Sequence, residues 1–119
     1  MSDIVRLDRS ARSSKVVIYN GVVYLGGATA ADRSENIQGQ TRQVLEMIEQ
    51  RLKDAGTDKS RLLTAQIWLK DVHRDFKGLN EVWNSWTAPD NAPTRATGQS
   101  ELAHPDILVE IIVTAAVGI

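Results

Sequence analysis

An α+β fold, with one sheet and two helices on a single face, is what the sequence predicts, and three observations predict it. Short β-branched runs flank an Asn20-Gly21 pair, two longer stretches carry apolar residues at helical spacing, and the final third holds a run that is apolar on both parities. The order is strand, hairpin, helix, strand, helix and then a strand pair, and two helices suffice to cover one face of such a sheet.

Taken in order, Ile4–Leu7 reads as a short edge strand. Lys15–Tyr19 and Val22–Leu25 are the arms of a hairpin, because Asn-Gly between β-branched runs is a strong short-range turn signal. Gly26-Gly27 ends the second arm and lets backbone or a ligand approach closely. Ala28–Ile37 is a polar loop. From Ile37 to Ala55 the period turns helical, with Val44, Leu45, Ile48, Leu52 and Ala55 on one face, Glu46 and Glu49 on a solvated face, and Gly56 placed to end the helix.

Leu62–Leu69 alternates, Leu63, Ala65, Ile67 and Leu69 facing one way and Thr64, Gln66 and Trp68 the other. Lys70–Arg74 is a turn containing His73, and Asp75 is the expected N-cap of a second helix that carries Phe76, Leu79, Asn80, Val82, Trp83 and Trp86. Trp83 and Trp86 are expected in core and interface packing. In the last strand Ile107, Val109, Ile111 and Val113 point one way, and Leu108, Ile112 and Ala116 point the other way alongside Glu110. A strand apolar on both faces, over a sheet with helices on only one, implies a homo-oligomer that buries the second face.

Chemistry concentrates in Pro93–Thr114. Glu110 lies within Ile107-Leu108-Val109-Glu110-Ile111-Ile112-Val113, where a carboxylate is costly to bury without a partner. Arg95, on the preceding β-prone run, is an available partner and the side chain best suited to bidentate carboxylate recognition. Two readings stay open at this point: a buried pair that fixes strand register, or a ligand site.

Composition removes other classes. With 14 basic and 15 acidic residues, a net charge of −1 and no basic stripe, the chain has no electrostatic footprint for nucleic acid or a membrane surface. Cysteine is absent, which excludes disulfides, thiolate catalysis and thiolate metal sites. The two histidines, His73 and His104, have no second ligand at metal spacing. No phosphate-loop spacing follows Gly26-Gly27, and no apolar stretch reaches signal or membrane-span length. A soluble, cytoplasmic protein with one domain over residues 1–119 is expected.

Taken together, Asn20-Gly21, Gly26-Gly27, Leu79-Asn80-Glu81-Val82-Trp83, Pro93-Thr94-Arg95 and Leu108-Val109-Glu110-Ile111 resemble the reactive-intermediate deaminase (RidA/YjgF) family over nearly the whole chain. Ala11-Arg12-Ser13 and Gly98-Gln99-Ser100 look closer to a YoaB-like branch. The resemblance implies a chorismate-mutase-like α+β fold with a mixed sheet and two helices packed on one face, a homotrimer with clefts between subunits, and cofactor-independent hydrolysis of enamines and imines to 2-oxo acids and ammonia. An enzyme of this sort is a 2-iminobutanoate/2-iminopropanoate-type deaminase, and an RNA-directed role sometimes assigned in the family sits badly with the near-neutral charge.

By position, the resemblance makes Arg95 the grip on a substrate carboxylate and Glu110 the acid associated with the attacking water. Gly27 becomes part of the pocket wall and Asn80 a helix residue near the cleft. Three positions depart: Ser13, flanked by Arg12, stands where archetypal members have a tyrosine, Gly26 where they have a serine, and Thr97 where they have a cysteine. Thr97 can still supply backbone groups. Arg12 adds a second cation suited to an imine with an extra acidic group. The departures also fit an alternative, a trimer that binds or senses a 2-oxo acid without chemistry.

Overall fold

The computed structural model describes residues 3–118. Six strands, β1 (Val5–Arg9), β2 (Ser14–Tyr19), β3 (Val22–Leu25), β4 (Leu62–Leu69), β5 (Thr94–Gln99) and β6 (Val109–Ala116), form one sheet in the order β1-β2-β3-β6-β4-β5. Helices α1 (Ile37–Asp54) and α2 (Val72–Trp86) pack side by side on one face of it. Only β4 and β5 run parallel, joined by the α2 crossover. The two-helix, mixed-sheet expectation holds.

The hairpin forms as the sequence predicts: Asn20 and Gly21 take positive φ angles of 50° and 80°, as a two-residue turn of primed type requires. Helix α1 starts where Asn36 accepts a hydrogen bond from the Gly39 N–H at 2.9 Å, and it stops before Gly56 at φ 80°. Val44, Leu45, Ile48 and Leu52 are buried against the sheet, with Val16, Val23, Ile67, Val109 and Ile111 beneath them.

Four expectations are corrected. Helix α2 is capped by Asp71, whose carboxylate accepts from the Arg74 N–H at 3.1 Å, while Gln99 Oε1 accepts from the Val72 N–H at 2.9 Å. Asp75 is therefore inside the first turn, buried beneath a bidentate contact from Arg74 at 3.0 and 2.8 Å, and His73 is helical. Leu63 does not face the core: the register between β4 and β6 shifts at Leu62/Thr64, so Leu62 is buried and Leu63 is turned out. Glu49 is less free than a solvated face suggests, since it pairs with Lys59 and accepts from Trp86 Nε1.

Lastly, β5 and β6 are not a pair. The run that is apolar on both faces takes a central place between β3 and β4, and the crossover leaves β5 at the edge.

The face opposite the helices stays open. Tyr24, Trp68, Ile112, Thr64 and Thr114 share it, and Tyr24 and Trp68 are 46% and 37% exposed. The molecule measures 47 × 38 × 20 Å and its accessible surface is 7179 Å². A folded chain of this mass ordinarily exposes about 6,400 Å².

A candidate active site divided between two faces of the sheet

Residues paired across neighbouring strands point to the same face, and residues alternate along each strand. Arg95 pairs with Ala65, which pairs with Val113, and both of these are buried under the helices. Glu110 pairs with Trp68, which pairs with Gly98 on the open face. Arg95 and Glu110 therefore point to opposite sides of the sheet, with β4 between their strands. The intrachain partnership that the sequence suggested does not form. Among the described residues the ion pairs are Lys59–Glu49, Arg74–Asp75 and His104–Asp106, and neither Arg95 nor Glu110 takes part.

On the helix side, the Arg95 guanidinium is half-buried against α2. Its Cζ lies 5.9 Å from the Phe76 ring centroid and 5.6 Å from that of Trp83. Asn80 falls between these aromatics on the same stripe of α2, and its Oδ1 is buried with no hydrogen-bond partner among the described residues. Burial pushes the Arg95 guanidinium down from its ordinary pKa, although it stays a cation at any physiological pH.

Thr97 lies two residues along the same edge. The Ser100 N–H donates to the Leu69 carbonyl, and with the parallel register this turns the main chain of residues 94, 96 and 98 towards β4. The N–H and C=O groups of Arg95 and Thr97 consequently point outward from the sheet edge. The backbone role expected of Thr97 is sterically available.

On the open side, Glu110 is partly exposed and packed on Gly27. A Cβ built on Gly27 would fall 1.9 Å from Glu110 Oε2, so only glycine leaves that carboxylate in place. The Gly27 segment is held by the two bonds between Ala28 and Ile111, at 3.0 and 3.1 Å. Gly26 bonds the Lys15 carbonyl at 3.0 Å, and a Cβ on it would lie 3.6 Å from the Ser14 carbonyl. Ser13 and Arg12 are exposed in the adjoining turn, where Ser10 Oγ accepts from both of their N–H groups at 3.2 and 3.3 Å.

The predicted site residues thus fall into two groups within one chain. Arg95, Thr97 and Asn80 gather at the β5 edge under α2. Glu110, Gly27 and Gly26 gather on or beside the open face, next to the turn that carries Ser13 and Arg12. Sequence reasoning overlooked Phe76 as a site neighbour, and it placed Trp83 in the core without its second contact to Arg95. The available signal was spacing: Phe76, Asn80 and Trp83 stand at i, i+4 and i+7 on one helix face.

A family model described as Endoribonuclease L-PSP matches residues 4–117. The chain belongs to that family, RidA/YjgF. A RutC family protein from Haemophilus ducreyi is 43% identical over 114 residues, covering 96% of this chain and 97% of the relative. The RutC family protein YoaB of Escherichia coli is 39% identical over 114 residues, covering 96% and 98%. Among solved structures, an uncharacterized protein from Pseudomonas aeruginosa superposes with a TM-score of 0.94 at 40% identity, covering 98% of this chain and all of that one. A YjgF family member from Neisseria meningitidis gives 0.95 at 35% identity, covering 98% and 97%. The family and the YoaB-like relatives expected from sequence are both found. RidA/YjgF membership fits the two-helix, six-strand architecture. Among the described residues, no helix is long and apolar enough to cross a membrane.

Proposed function

We propose that this RidA/YjgF-family chain hydrolyses 2-imino acids, or the 2-amino-enoic acids that tautomerise to them, to 2-oxo acids and ammonia. It acts in the cytoplasm as a homotrimer whose sites lie between copies. The observation that carries the reading is Arg95, a half-buried guanidinium flanked by aromatic rings with no carboxylate paired to it among the described residues. A guanidinium in that state is a receptor for a small carboxylate. Glu110, the other half, is a partly exposed carboxylate held beside a glycine whose missing side chain leaves it in place.

In this reading the β5 edge of one copy meets the open face of another. The substrate carboxylate forks onto Arg95, and the protonated imine carbon faces a water held between Glu110 of the second copy and the outward carbonyl of Thr97. Glu110 orients the water and takes its proton as the C–O bond forms and the C=N π pair moves to nitrogen. The same proton then passes to nitrogen; Glu110 next takes the remaining hydroxyl proton as the O–H electron pair forms the C=O bond, the C–N bond breaks with its pair staying on nitrogen, and ammonia leaves a 2-oxo acid behind. An enamine must first gain a proton at carbon. Iminium hydrolysis is intrinsically easy, so positioning supplies most of what is needed, and the scheme uses no cofactor.

A second reading, a trimer that binds or senses a 2-oxo acid without turnover, is favoured by the three departures at Ser13, Gly26 and Thr97. The experiment that separates them generates imines in situ with an amino-acid oxidase over a panel of amino acids, for wild type and Arg95→Ala. Faster 2-oxo acid release by wild type alone supports the enzyme. Equal release by both proteins sinks it, and 2-oxo acid binding without turnover favours the sensor. If Arg12 answers a second acidic group, Arg12→Ala slows only imines that carry one.

A further inference from the structure

We infer that Phe76 and Trp83 are positioning residues for Arg95: the two rings hold its guanidinium in place as a cation without a counter-ion among the described residues, so that its N–H edge is free for the ligand's carboxylate. The inference rests on the proposed carboxylate grip and adds to it a reason why the grip is ready before the ligand arrives. Arg95 is on an edge strand and has a long flexible side chain, so something must fix it. An acidic partner would fix it but would then compete with the ligand for the same donors. Aromatic rings attract the cation through their π faces and present no acceptor in the plane of the N–H fork.

The two rings are themselves held to different degrees. Trp83 is 5% exposed and packs on Trp86 at 5.5 Å between centroids, and Trp86 is in turn held by Glu49 and by Lys59, whose Nζ lies 5.2 Å from its ring. One side of the clamp is therefore tied through Trp86 to α1. Phe76 is the other side, is 43% exposed and has no core role. Its contact with Arg95 gives it one.

Phe76→Leu tests this, because an exposed ring can be exchanged for a smaller apolar side chain without emptying the core. Two readouts apply, both on the full chain. Binding of pyruvate, measured by calorimetry, is expected to weaken about three- to tenfold in Phe76→Leu and to stay at the wild-type level in Phe76→Tyr, which keeps the ring. In an Arg95→Ala background, Phe76→Leu is expected to cause no further loss. Separately, the Arg95 Nε–Hε proton should resonate upfield under the ring current and move back downfield in Phe76→Leu with no ligand present. An unchanged Arg95 resonance in Phe76→Leu overturns the clamp, as does an equal loss of binding with and without Arg95. A wild type that binds no 2-oxo acid overturns the functional reading instead, and the Arg95 resonance still decides the clamp.

Discussion

Adding one methyl group at Gly27 tests the water-handling half of the site without touching a charged residue. In Gly27→Ala the new Cβ would lie 1.9 Å from Glu110 Oε2, 2.9 Å from Cδ and 3.2 Å from Cγ. Ordinary contact begins near 3.4 Å, so the carboxylate has to move by about 1.5 Å. Gly27 does not have a positive φ, so alanine suits the backbone, and Glu110 has open space on its own face to swing into. The folding cost is then that of an unfavourable rotamer, roughly 1 kcal/mol or a few degrees in Tm. The catalytic cost is larger: a misplacement of about 1 Å at a reacting group can lower the rate on the order of a hundredfold. The assay is initial-rate 2-oxo acid release from an oxidase-generated imine, alongside thermal melting and pyruvate binding. A loss of activity on that order with near-native Tm and retained pyruvate affinity is expected, since Arg95 is untouched. Wild-type activity in Gly27→Ala would refute the role given to Glu110. So would a loss of pyruvate binding as deep as that of Arg95→Ala.

Other consequences can be checked on the same footing. Thr97→Ala should change kcat/KM less than about threefold, because the group at work is the outward main chain and alanine keeps it; a large drop would mean that the hydroxyl acts. Mixing Arg95→Ala with Glu110→Gln subunits after denaturation and refolding should recover activity that neither variant has alone, since some interfaces then pair an intact Arg95 with an intact Glu110; a mixture as inactive as its parents would put both residues in one chain's site. If the proposed trimer forms through the open sheet face, Ile112→Glu places a charge there and should turn a particle of three 13.1 kDa chains into monomers by light scattering; a wild type that is already monomeric refutes the proposed assembly. Asp71→Ala should lower stability by about 1 kcal/mol in a denaturant melt through loss of the α2 cap, whereas Asp75 has no such capping role.

What the sequence made legible was local. The Asn20-Gly21 turn needs two positive φ angles and has the two residues that tolerate them, and α1 announces both its face and its end. What it left hidden depends on non-local pairing. Nothing in Leu108–Val113 says that β6 inserts between β3 and β4, because a run that is apolar on both parities suits any central strand. The bulge that turns Leu63 outward is invisible for the same reason: alternation counts residues, and one unpaired residue resets the count. Asp71 and Asp75 have the same side chain, and in the folded chain Asp71 accepts from the Arg74 N–H while Asp75 takes the Arg74 guanidinium. Arg95 and Glu110 stood out by pattern and the other site residues by motif wording, so their types were legible while their relative placement was not.

That placement bears on why the two charges belong to different faces. Arg95 aligns with Val113 through Ala65, and Glu110 is three residues from Val113 along β6, an odd offset that turns it to the other side. Were the offset even, a guanidinium and a carboxylate one strand apart could close on each other inside the monomer. Such a pair adds little to stability, yet a ligand carboxylate would have to break it before binding, at the cost of a stranded charge. The odd offset prevents that self-pairing by geometry. Each charge stays available, Arg95 clamped by rings and Glu110 resting on a glycine. Under the proposed reading they meet only when one copy's edge strand comes against another copy's open face. In that reading assembly completes the site and also covers Tyr24 and Trp68, so the apolar face proposed to drive association is the one that carries the proposed catalytic carboxylate.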